Sequence, residues 1–119
     1  MPIIDDHIVP GDTGYCTVSA DDRDPRCGNA AHEFIVTPDG GTPQIIRFQH
    51  GPVKEHGVNG VQDSAVIAVL IERFEGFQAG NFACEANAAV LGHLRAALNA
   101  NLQRTRDRVA RQVEGTSAA

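Results

Sequence analysis

RFQHGPVKEHGVNGVQD, Arg47 to Asp63, opens like a strand and closes like the entry to a helix, with a polar, glycine-punctuated turn between. The stretch separates two kinds of sequence. Before it, short apolar runs alternate with turn residues: PIIDDHIVP, GYCTVSA, HEFIVTP, then PQIIRFQ after DGGT. That pattern predicts short antiparallel strands, with Asp39-Gly40-Gly41 the strongest hairpin signal. The polar segment DDRDPRCGNA, Asp21 to Ala30, predicts a surface loop between strands.

After Gly60 the period changes. Val66, Ile67, Leu70, Ile71, Phe74 and Phe77 recur at three- and four-residue spacing, as one face of a helix does. Asp63 or Ser64 is placed to cap its start, and Gly76 and Gly80 bracket its end. A second periodic run holds Val90, Leu91, Leu94, Leu98, Leu102, Val109 and Val113 and continues to Gly115. The reading is α+β: a small N-terminal antiparallel β lobe (1–58), a long C-terminal helical hairpin (59–115) and a flexible tail (116–119). The second helix is about eight turns and the first about four, so its distal half lacks partner surface within the hairpin. Either the β lobe folds back over it, or a second copy of the chain covers it; the second is expected, as an oligomer.

The 119 residues suffice for one folding unit or two small lobes. The longest apolar run, Ala65 to Ile71, is far below a spanning length, and MPIIDDHIVP has acids where a signal peptide carries bases. No membrane association and a cytoplasmic location are expected. Net charge is -5, and residues 1–59 hold nine acids against four bases while residues 60–119 hold six of each. A nucleic-acid duplex is therefore an unfavourable partner, although a local arginine cluster can still hold a small phosphate-bearing ligand.

Cys16, Cys27 and Cys84 form neither an even disulfide set nor a close metal-binding pair. A zinc site from Cys16, Cys27 and His32 is conceivable, but the short C-x-x-C or H-x-x-x-H element that fixes two ligands on one turn is missing. No metal and no cofactor are expected. No Walker loop, G-x-S-x-G elbow or H-E-x-x-H helix is present, and His93 on the long helix reads as structural.

Arg104, Arg108 and Arg111 are spaced by four and three residues, on one helical stripe, with Arg106 pointing away. The stripe is either a solvated helix end favoured by the dipole or a set of planar donors for phosphate oxygens. Phe77 at the turn is either core or a stacking platform, and Asn87 either faces solvent or reads a base edge or ribose. The polar loop with Lys54, Glu55, His56 and Asn59 is likewise either a connector or part of an anion site.

Three blocks in fixed order carry a resemblance: FQHGPVKEHGVNGVQ (Phe48 to Gln62), LIERFEGFQAGNFACEAN (Leu70 to Asn87) and QRTRDRVARQVEGT (Gln103 to Thr116). Over roughly residues 45–116 the chain resembles the phage Thoeris anti-defence sponge family, which shares its helical hairpin with an anti-CBASS sponge family. The resemblance implies a non-enzymatic protein of immune evasion. Such proteins bind, without degrading it, the signal glycocyclic ADP-ribose made by a bacterial TIR enzyme, and some also bind CBASS cyclic oligonucleotides. It implies homo-oligomers, dimers and in some members trimers of dimers, with the ligand between two chains. Carried over by motif, Phe77 stacks on adenine, with Gln78 beside it. Asn87 supplies an amide and Arg104 and Arg108 the tail arginines, while Lys54 and Asn59 of the loop are further ligand-binding candidates. The family's C-R-E-N block reads Cys84-Glu85-Ala86-Asn87 here.

Two other functions fit the residues. One is a small phage interaction protein whose helical hairpin docks a host protein; the other is a hydrolase acting through Glu55 and His56.

Overall fold

The computed structural model describes residues 2–111. The expected tail at 116–119 and the continuation of the second helix to Val113 and Gly115 lie outside the described residues. The chain divides into two compact units between Val61 and Gln62.

The first unit is a four-stranded sheet in the order β1-β2-β3-β4. The strands are β1 (Ile3–Ile4), β2 (Thr17–Ala20), β3 (Glu33–Thr37) and β4 (Gln44–Arg47), all antiparallel to their neighbours. Pairings of Ile4 with Val18, Val18 with Val36, Ala20 with Phe34 and Phe34 with Ile46 put these apolar residues on one side of the sheet. Their fate differs from that of the alternate residues: Ala20 is buried and the others half-buried, whereas Ile3 and Ile45 on the opposite side are 71% and 50% exposed. The β3–β4 turn falls where DGG predicts it, closed by the Gly41 N–H on the Pro38 carbonyl at 2.9 Å.

The segment Arg47 to Asp63 is more ordered than a connector. Beyond β4, Phe48 and Val61 form a parallel bridge, with the Gln49 N–H on the Val61 carbonyl at 2.9 Å and the Val61 N–H on the Arg47 carbonyl at 2.8 Å. The 49–60 loop is thus closed at its base. Within it α1 (Val53–His56) is a single helical turn, which sequence periodicity did not foresee because four residues carry no period. Gly57 ends it with φ +72°, a left-handed conformation that favours glycine. Gly60 is needed for another reason: a Cβ there would run into the backbone carbonyl of Phe48. We expect Gly60→Ala to destabilise the protein by ~1–3 kcal/mol, the cost of overpacking a rigid neighbour. Thermal unfolding would read this as a fall of several degrees in Tm, and an unchanged Tm would contradict the close approach.

The second unit is the hairpin of α2 (Asp63–Gln78) and α3 (Glu85–Ala110), packed on each other. Ile71 and Leu91 are buried, with Val66, Ile67, Phe74, Leu94, Leu98 and Leu102 half-buried on the same stripes. Leu70, expected on the apolar face, is 40% exposed, and Val69, Val90 and Val109 are exposed too. Gln62, not Asp63 or Ser64, is the N-cap of α2, and it makes no side-chain cap bond. The helix ends at Gln78, between the two expected glycines. Arg95 on α3 reaches Glu75 on α2 at 2.9 Å, an exposed pair worth at most about 1 kcal/mol. No helix among the described residues is long and apolar enough to cross a membrane.

Candidate functional site

The turn of the hairpin is built from aromatic rings and amides. Phe77, half-buried, meets Phe74 edge to face at 5.4 Å between ring centroids and Phe82 at 5.9 Å. The Arg73 guanidinium lies 4.9 Å from the Phe77 centroid. This contact, four residues apart on α2, is a cation–π pair that the sequence reading missed, although an Arg and a Phe at i and i+4 are its signal. Phe82, 71% exposed, was missed as well. Together they make an aromatic surface edged by one cation.

Two expected site residues also hold the turn in shape. The Gln78 Oε1 accepts the Cys84 N–H at 3.0 Å. Asn87 donates its side-chain Nδ2 to the Phe82 carbonyl at 2.8 Å, and its N–H goes to the Cys84 Sγ at 3.4 Å, the cap of α3. Phe77, Gln78 and Asn87 are therefore brought to one end of the hairpin. Arg104 and Arg108 are not: both lie in the last two turns of α3, Arg104 exposed and Arg108 half-buried. Arg106 donates to Asn99 at 3.5 Å.

α3 is one uninterrupted helix, so Asn87 and Arg104, 17 positions apart, have backbones separated by ~25 Å. No small nucleotide touches both in one chain. The hairpin has two distinct ends: an aromatic-amide end and an arginine end.

In the first unit Lys54 is exposed on α1. Asn59 faces its own loop: the His50 N–H donates to its Oδ1 at 2.8 Å and its Nδ2 donates to the His50 carbonyl at 2.7 Å. Gln49 completes the clasp, accepting the Asn59 N–H at 3.1 Å and donating to the Gly51 and Gly57 carbonyls. Glu55 and His56 approach to 4.0 Å, both about half-exposed.

A polar cluster on the 21–30 segment meets this loop at His50. The Asp21 carboxylate accepts the N–H groups of His32 (2.9 Å) and Glu33 (3.2 Å), which hold its pKa below the ordinary carboxyl value. Asp24 is shifted the same way, first by its 2.8 Å hydrogen bond with the His50 Nε2 and then by the Arg26 N–H.

A small antiparallel sheet followed by a long helical hairpin, with an aromatic-amide turn and a far arginine end, defines a hairpin-domain protein. Residues 42–105 match the family model described as Acb2/Tad1, hairpin domain. The chain is also 34% identical to Thoeris anti-defense 1 of Bacillus phage SBSphiJ7, across 87% of this chain and 91% of that protein. The chain belongs to the Acb2/Tad1 family.

Proposed function

We propose that the protein is a phage anti-defence sponge that binds glycocyclic ADP-ribose, the TIR-derived signal, and withholds it from its effector without degrading it. Family membership and the anti-Thoeris relative support the anti-defence role. The observation that carries the binding mode is the continuity of α3, which keeps Phe77 and Asn87 apart from Arg104 and Arg108. A pocket made by two chains resolves that separation. Phe77 and Asn87 of one protomer hold the base and ribose, Gln78 keeps their turn in shape, and Arg104 and Arg108 of the partner hold the phosphates. The exposed Val69, Leu70, Val90 and Val109 of the hairpin supply apolar surface for the association.

Sequestration is separated from hydrolysis by recovery of the ligand. Protein mixed with glycocyclic ADP-ribose should silence effector activation, and heat denaturation should then release the signal intact and restore activation. A cleaved product would replace the sponge by an enzyme, and an unchanged concentration of free signal would refute ligand binding altogether.

A further inference from the structure

One cluster in the first unit lies outside the residues assigned above to ligand capture. Cys27, His32 and His50 come from the 21–30 loop, the entry to β3 and the segment after β4, yet a ligand atom from each lies within 4.8 Å of the other two. The sequence reading considered Cys16 with Cys27 and His32, but His50, not Cys16, completes the group.

Backbone bonds fix all three positions. Asp24 offers its carbonyl to the N–H groups of Cys27 (3.0 Å) and Asn29 (2.9 Å), folding the loop back through the Asp24–Ala30 bridge. His32 is held through its N–H by Asp21, and its carbonyl accepts the Phe48 N–H at 2.8 Å. His50 is clasped by Asn59.

Two further observations point to a ligand. The His32 Nε2 is buried and has no hydrogen-bond partner among the described residues, which is costly for an imidazole nitrogen. The His50 Nε2 is engaged by the Asp24 carboxylate at 2.8 Å, leaving Nδ1 as that ring's donor lone pair. A carboxylate behind an imidazole is the usual outer partner of a metal-bound histidine.

We propose that Cys27, His32 and His50 bind a zinc ion, with Asp24 orienting the His50 ring. One thiolate with two imidazoles suits zinc, and half-exposed His50 leaves room for water as the fourth ligand. Zinc–ligand bonds of 2.0–2.3 Å place tetrahedral donors about 3.3–3.6 Å apart, so the group closes by no more than ~1.5 Å. The rings of His32 and His50, stacked at 4.1 Å and 20°, splay as they turn their in-plane lone pairs onto one ion. Binding releases the Cys27 thiol proton to solvent. The ion pins the 21–30 loop to both strands in a unit where Ala20 is the one buried apolar side chain among the described residues.

Tag-free protein stripped with a chelator and titrated with Zn²⁺ should bind one equivalent per chain and gain several degrees of Tm. Co²⁺ should give a thiolate-to-cobalt charge-transfer band that Cys27→Ser removes while Cys16→Ser and Cys84→Ser retain it. Asp24→Asn should weaken Zn²⁺ binding by about 10–100-fold. Because a ligand variant can fail to fold, the unsubstituted protein provides a second readout, in which Zn²⁺ slows alkylation of Cys27 but not of Cys84. Failure to bind an equivalent of Zn²⁺ in competition with a weak chelating indicator, a band that survives Cys27→Ser, or equal alkylation of the two thiols with Zn²⁺ present would each overturn the site.

Discussion

Replacing Arg104 and Arg108 together with alanine is expected to weaken capture of glycocyclic ADP-ribose by about 10²–10⁴-fold, since hydrogen bonds to charged groups contribute ~1.5–3 kcal/mol each. Calorimetric titration would measure it, with circular dichroism checking that α3 persists. Arg104→Ala alone is the cleaner variant, because Arg104 is exposed and Arg108 half-buried. Unchanged affinity in both would remove the two arginines from the site, whereas no binding by the unsubstituted protein would favour the other reading, a hairpin that docks a host protein and binds no nucleotide. The two-chain arrangement makes a stronger demand. A Phe77→Ala chain and an Arg104→Ala/Arg108→Ala chain should each fail alone, yet their mixture should recover about a quarter of the parent capacity. Half of randomly formed dimers pair the two variants, and each such dimer has one intact pocket of two. A mixture that recovers nothing would place the whole site in one chain, against the ~25 Å between Asn87 and Arg104.

Leu91→Ala is expected to cost about 2–5 kcal/mol, because Leu91 is one of two buried side chains among the described residues of the hairpin and its loss leaves a cavity between α2 and α3. Denaturant unfolding would show a shifted midpoint. Val109→Ala is the instructive control. At 57% exposure in the single chain it should cost no more than about 0.5 kcal/mol, and a larger loss that grows with protein concentration would reveal a second copy lying over it.

The parts of the fold legible in the sequence are those where one period runs long enough to be counted. Val66 through Phe77 and Val90 through Val109 mark α2 and α3, and Asp39-Gly40 marks the tightest hairpin of the sheet. α1 escaped for want of length, at four residues, whereas β1, only two residues long, lies within the run PIIDDHIVP that predicts a strand. The cap of α2 was misplaced by one position, since Asp63 favours a helix start generally while the local backbone turns at Gln62. At the site, residue type indicated Phe77 and Asn87 but not what their atoms already do. Arg73 over the Phe77 ring and the Asn87 amide on the Phe82 carbonyl are set by the geometry of the turn. The Cys27–His32–His50 group was illegible for a different reason. Its members meet only because β3 and β4 pair in register and the 21–30 loop folds back, and no spacing in the chain encodes that.

The uninterrupted run of α3 has a consequence for dosage. On the proposed two-chain pocket, capture is second order in protomer: halving the protein at concentrations below the dimerisation constant removes about three quarters of the pockets. Protection of an infecting phage would then rise with the square of expression over that range.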